Sequence, residues 1–258
     1  MKKNLFLRIA KLLVLCFFLL ILANCGNGET EVVTVTGPGL VGLDDSTTQT
    51  APLLIVTYNS PSVGAGTAQI LSDLLSDGDV EFDSVTNTFT VTQGPQEDFF
   101  GVDSANPDQP EFRAFHTFVL DGSTGQQSIP SDAIINSATL EVFVDEVDFA
   151  DTIPTFLDLI QYQFQNLSSA DFDAPLVTST SFRGFDFFSS DQNNFVDIDV
   201  TDLMGDAMTY TYPLFQDRFG LQSTALSPSR SSSLKTERHL GTKPRSLEKI
   251  RPRQNTGK

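Results

Sequence analysis

Phe112-Arg113-Ala114-Phe115-His116-Thr117-Phe118-Val119-Leu120 and Ala138-Thr139-Leu140-Glu141-Val142-Phe143-Val144-Asp145 decide the fold class. In each stretch the side chains alternate between two faces. Phe112, Ala114, His116, Phe118 and Leu120 share one face of the first, with Arg113, Phe115, Thr117 and Val119 on the other. Ala138, Leu140, Val142 and Val144 form an inward set in the second, against Thr139, Glu141, Phe143 and Asp145. A period of two is the strand signature, because successive Cβ atoms point to opposite sides of a pleated sheet.

The same pattern recurs in short runs bounded by Asp, Asn, Gly, Ser and Pro. Val196, Ile198 and Val200 point one way while Asp197 and Asp199 point the other. Further strands are expected at 53–58, 79–82, 87–92, 158–163 and 212–218. A brief helix is expected near 201–209, with Thr201 as N-cap and Leu203, Met204, Ala207 and Met208 turned inward. Antiparallel strands at this density predict an all-β, antiparallel two-sheet sandwich with one short helix.

Working outward, the chain divides by charge. Residues 1–25 carry four basic residues and no acid, and residues 26–225 carry Arg113, Arg183 and Arg218 against 31 acids, a net near −28. Residues 226–258 carry nine Lys or Arg against Glu237 and Glu248. So acidic a middle repels phosphate backbones, which argues against nucleic-acid binding. Asp outnumbers Glu by 24 to 9, which suits turns better than helices.

The twelve apolar residues Leu12–Ala23 follow a basic start, as in a secretory signal, and are too few to span a bilayer. They lead into Leu22-Ala23-Asn24-Cys25, which resembles a bacterial lipobox. That resemblance implies a signal peptide over 1–24, lipidation of Cys25, and an exported lipoprotein held to the membrane of the cell envelope. Gly26 after the Cys resembles outer-membrane sorting and so a place at the cell surface. Cys16 and Cys25 are the only cysteines, so cleavage between them leaves no disulfide and no thiolate metal site.

Residues 25–51, rich in Thr and Gly, read as a flexible tether, and 52–225 as the sandwich domain. Gly37-Pro38-Gly39-Leu40-Val41-Gly42 matches a dinucleotide-binding glycine pattern literally. No helical stripe follows it, and a dinucleotide site is rejected on that ground. Residues 226–258 read as a disordered basic tail, either a frameshifted gene end or an arm touching anionic lipid or polysaccharide.

Phe112–Leu120, followed by Ile129-Pro130-Ser131-Asp132-Ala133-Ile134-Ile135-Asn136-Ser137-Ala138-Thr139-Leu140, is similar to the strand, Ile-Pro turn and following strand of DNRLRE-type domains. Ser169-Ala170-Asp171-Phe172-Asp173 and Val196-Asp197-Ile198-Asp199-Val200-Thr201-Asp202-Leu203 resemble that group's loop and strand-to-helix step. The resemblance covers residues 68–218. It implies an extracellular jelly-roll-like module of a group in which some members are classed as carbohydrate-binding. The hexapeptide that names the group is missing, so no ligand residue carries over.

His116, Asp121 and Ser123 would be the material for a hydrolytic triad, but they follow one another along a strand and its turn without a nucleophile motif. His116 is expected as a packed strand histidine. The carboxylate pairs Glu141 with Glu146 and Asp197 with Asp199 keep a glycan-acting hydrolase open as an alternative. Asp73, Asp77, Asp79 and Asp83 are the candidate ligands of a structural calcium, and Asp145, Glu146, Asp148 and Asp151 form a second crowd, neither with EF-hand spacing. Phe143 and Tyr162 are the candidate ligand-facing aromatics. The expectation is a surface protein with a non-catalytic binding or structural sandwich that takes polysaccharide, the other alternative being an adhesin that binds protein.

A clickable fatty acid fed to the producing cells is expected to label the chain and to leave a Cys25→Ala variant unlabelled, read by in-gel fluorescence.

Overall fold

Strand β8, Ile134–Asp148, runs for fifteen residues because its alternating apolar set needs a partner along its whole length. The computed structural model describes residues 36–222, all within the first of the two units, Met1–Ala225 and Leu226–Lys258, into which the chain divides. Ahead of β8 come β1 (Leu40–Asp44), β2 (Leu53–Ser60), β3 (Gly64–Leu71), β4 (Gly78–Asp83), β5 (Thr88–Gln93), β6 (Glu97–Val102) and β7 (Glu111–Val119). After it come β9 (Thr152–Leu159), β10 (Phe182–Phe188), β11 (Asn194–Asp199), the helix α1 (Thr201–Asp206) and β12 (Leu214–Leu221). The fold is all-β and antiparallel, with two layers around one core.

One layer is β3-β2-β8-β11 and the other is β5-β4-β7-β12-β9-β10. Strands β1 and β6 pair with each other, β1 also with β8 and β6 also with β7, so the sheet curls from one layer into the other. Ala138, Leu140, Val142 and Val144 lie inward as expected, facing Ala114, Phe118, Phe215 and Phe219 in one continuous core. Two bulges on β8 bound this set. The register slips at Asn136 and at Asp145, so parity flips and Ile135 and Val147, not Asn136 and Glu146, turn toward the core.

The outer face of β7 is also covered. Phe115 packs with Val80, Ile160, Tyr162, Leu167 and Phe172 in a second cluster, beneath the connection from β9 to β10.

Several expectations are corrected. The tether read over 25–51 holds β1, with Leu40, Val41 and Leu43 in the core, so residues 36–51 belong to the domain. The strand expected at 158–163 is β9 at Thr152–Leu159, where Pro154 lies within the run and its carbonyl accepts the Gln222 amide at 3.0 Å. The expected helix begins at Thr201, but Thr201 is its first helical residue and Val200 its cap. The Thr201 hydroxyl donates to Asp199 at 2.7 Å and accepts the Ala138 amide at 3.0 Å. Leu203, Met204 and Ala207 are buried, and Ala207–Thr211 continue in a wider helical turn. Strands β3, β6 and β10 were not anticipated, Gly64-Ala65-Gly66 in β3 having almost no side chain to alternate. The signal segment, Cys25 and the basic tail lie outside the described residues.

Two glycines of the rejected pattern are steric requirements of β1 and its surroundings: a Cβ at Gly39 would meet the Asp148 carbonyl oxygen and Ile153, and one at Gly42 the Glu97 carboxyl, while Gly101 on the paired strand β6 serves the same close approach. Gly101 sits at φ +117°, and a Cβ there would collide with the Gly39 carbonyl oxygen. Gly101→Ala is expected to cost more than about 2 kcal/mol, from backbone strain and overlap together, measured by urea denaturation.

Candidate functional site

Two places gather side chains with chemistry. The first lies inside the domain, at one end of the core. Asp45 follows β1, Asp98 is on β6, His116 on β7 and Asp217 on β12, all at inward positions, and Asp77 ends the connection from β3 to β4. Each of the five is fully buried. His116 Nδ1 lies 3.0 Å from Asp217, its register partner, and Nε2 lies 3.8 Å from Asp98. Asp77 accepts the Thr117 amide at 2.7 Å, and Ser72 donates to Asp45 at 3.5 Å.

Burial governs the acid–base behaviour here. It pushes the Asp77 and Asp98 carboxyls well up, Asp45 up to about 6, and Asp217 up against the opposing pull of His116. Burial alone would lower the imidazole, but Asp217, Asp98 and Asp45 together hold it above its ordinary value. Asp79, bonded to the Phe99 amide, is pushed up to about 6, again by burial.

A sealed cluster cannot touch a substrate. His116 is the packed strand histidine that was expected, whereas Asp121 folds back on the Ser123 amide at 2.8 Å in an exposed turn. The four candidate calcium ligands do not converge either. Asp73 closes the turn to Leu75 and Ser76, Asp77 joins the buried cluster, Asp79 holds β6, and Asp83 caps the turn to Val85 and Thr86. Among the described residues no group of three or more His, Cys, Asp or Glu is arranged to hold a metal ion. In the second acidic crowd Glu146 approaches Glu97 over Gly42, and Glu97 is pushed up to about 7 by burial and by Glu146, Asp145 and Asp44.

The second place is the outer face of the β8–β11 pair. Phe143 on β8 stands opposite Phe195 on β11, ring centroids 5.1 Å apart and edge to face. Phe195 is half exposed, at 50%. Glu141 opposite Asp197 and Thr139 opposite Asp199 continue the strip, and Ile55 on β2 borders it. Arg183 reaches across from β10 to within 3.6 Å of Asp199. Phe143 is therefore on the outward side of its strand, as the alternation predicts, and partly exposed.

Tyr162 is not, and that expectation is corrected. It is 8% exposed, its hydroxyl is 2.7 Å from that of Thr117, and its backbone is bonded to Gln216. The cover over it is fixed by two arginines. Arg218 donates to the carbonyls of Phe172 and Ala174 at 3.0 and 2.9 Å and to Asp158 at 2.7 Å. Arg113 donates to the same Phe172 carbonyl and stacks 3.9 Å over the Phe172 ring.

Asp45, Asp98 and Asp217 were missed, although two carried a signal. Asp98 shares strand parity with Phe100, and Asp217 with Phe215 and Phe219, so an acid stands in each inward row. Compared with known proteins, the chain matches no family model, no curated protein and no solved structure.

Arg218→Met is expected to cost roughly 2–4 kcal/mol, because it strands Asp158 and the carbonyls of Asp171 and Ala174 and leaves that of Phe172 to Arg113 alone, and to open residues 163–176 to limited proteolysis.

Proposed function

We propose that this chain is a lipid-anchored surface protein whose sandwich is a non-catalytic module binding polysaccharide through the Phe143–Phe195 strip. The observation that carries the reading is that strip itself. Two aromatic rings stand on paired strands of a sheet whose other side is the core, so their positions are held by the packing beneath them. Acceptors and a donor lie beside them in Glu141, Asp197, Asp199 and Arg183, which suits a ligand rich in hydroxyls.

The placement at the membrane rests on Leu22-Ala23-Asn24-Cys25 and the apolar run before it. Among the described residues no helix is long and apolar enough to cross a membrane. The similarity to DNRLRE-type domains favours an extracellular module. The densest set of acid–base groups is sealed in the core, which favours contact over reaction as the work of the surface.

On a glycan array the purified chain is expected to retain a neutral polysaccharide and not an acidic one, which the carboxylates of the strip repel. Phe195→Ala and Phe143→Ala are each expected to weaken that binding about tenfold, close to 1.4 kcal/mol of lost stacking. Binding indifferent to both substitutions moves the site elsewhere, and a wild type that retains no glycan defeats the reading.

A further inference from the structure

We propose that the buried Asp45–Asp77–Asp98–His116–Asp217 cluster is a proton-loaded latch that holds the β3–β4 connection, residues 72–77, against β6, β7 and β12 and releases it as the medium turns alkaline. The first argument is one of counting. Residues 36–222 contain three arginines and no lysine. Arg113 is engaged with Glu111 and Asp173, Arg183 with Asp199 and Arg218 with Asp158, all outside the cluster. His116 is the one cationic group facing the four carboxyls, so protons must neutralise the rest.

The second argument is geometric. Asp45 and Asp77 face each other within hydrogen-bond reach, yet two carboxylates both accept and neither donates. One proton between them turns a repulsion into a bond, as in any pair of buried like charges at close range. Asp77 Oδ2, Asp45 Oδ2, Asp98 Oδ2, Asp217 Oδ2 and His116 Nε2 are buried without a hydrogen-bond partner, which fully ionised carboxylates would leave unrelieved. His116 Nε2 and Asp98 Oδ2 are 3.8 Å apart, too far for a bond and close enough for an ion pair.

The third argument identifies what moves. The connection 72–77 is joined to β7 by the Asp73 amide on the Thr117 carbonyl, at 2.7 Å, and by the Thr117 amide on Asp77, at 2.7 Å. Ser72 reaches Asp45, and the Asp77 carbonyl accepts the Gly94 amide beyond β5. Expelling Asp77 therefore loosens this connection and the β4–β5 hairpin that follows it. The other groups facing the cluster are Asp79 on β4 and the Tyr162 phenol beneath the outer cover, with Asp44 beside Asp45.

The sign is the same for every member. Carboxyls raised above their unfolded values bind protons more tightly when folded, so stability is lost as pH climbs from about 4 through about 6 and beyond. A raised imidazole loses its contribution in the same direction.

The test is the Tm of the full chain from pH 5 to pH 8, with hydrogen exchange at the Thr117 amide. Tm is expected to fall by roughly 3–5 °C over that span, the effect of one carboxyl titrating near 6 instead of near 4 in a domain of this size, half of whose loss is already complete at pH 5. Asp77→Asn supplies a neutral side chain that still accepts from Thr117 and donates to Asp45. It is expected to flatten the fall by half or more and to slow Thr117 exchange at pH 8. Asp98→Asn is expected to act likewise, and Asp121→Asn, in the exposed turn after β7 where the Ser123 bonds hold the carboxyl below its ordinary value, to leave the slope unchanged. An unaltered slope in both buried variants, failure of both to fold, or equal flattening by Asp121→Asn overturns the latch. A wild-type Tm at pH 8 restored by millimolar calcium overturns it too, by making a cation the neutralising partner.

Discussion

The domain must bury carboxylates with almost no cations to pair them. From residue 36 to 222 there are three positive side chains that stay charged, and the structure spends each on a definite task. Arg218 and Arg113 converge on one carbonyl, that of Phe172, and so hold the β9–β10 connection over the second apolar cluster. A guanidinium suits this because its planar fork donates in several directions at once. The carboxylates left over turn to backbone amides. Asp44, Asp73, Asp83, Asp103, Asp121 and Asp199 each accept the amide two residues on, which makes the acid-rich loops also the well-turned ones. The four carboxyls around His116 have neither remedy in full.

That constraint separates what could be read in the sequence from what could not. The inward rows of β7, β8 and β11 follow from alternation alone, since a period of two leaves only the choice of which face is buried. Alternation fails where both faces are covered. In β7, Phe115 and Thr117 are as buried as Ala114 and Phe118, because a connection some twenty residues long folds back over them. Tyr162 belongs to that connection. Whether an aromatic in a loop faces solvent or forms the lid of a second core depends on the arginines that pin the loop, and these come from β7 and β12, far along the chain.

The bulges of β8 are a second limit. Asn136 and Asp145 each insert one residue, and the parity rule that places Leu140 correctly would place Glu146 inward without the second slip. The polar crowd at Asp145 and Glu146 marks the place in retrospect. A local run of acids was there read as ligand material, when its nearer cause is a strand changing face. The same holds for Asp73 to Asp83, where proximity in sequence spreads over a turn, a buried cluster and two strand ends. The buried cluster instead draws one acid from each of four elements, which no local window contains.

Two of the edge strands, β3 and β5, are treated unequally, and the difference follows from composition. Strand β3 is an edge, and the side chains of Gln126 and Gln127 lie along it, accepting the amides of Leu71 and Gln69 at 2.7 Å, while Gln126 returns a donor to the Leu71 carbonyl. Two glutamines thus imitate a neighbouring strand without adding charge to an acidic body. Strand β5, Thr88-Phe89-Thr90-Val91-Thr92-Gln93, has β4 on one side only and exposes nearly every side chain. Its residues are uncharged, so nothing on the strand itself repels a second chain. What opposes edge pairing there is the charge of the surrounding body, near −28 over residues 26–225, acting through space. Such repulsion weakens as salt screens it and as the buried carboxyls' exposed relatives take up protons. The acidity that burdens the interior therefore also disfavours growth of the sheet at its open edge.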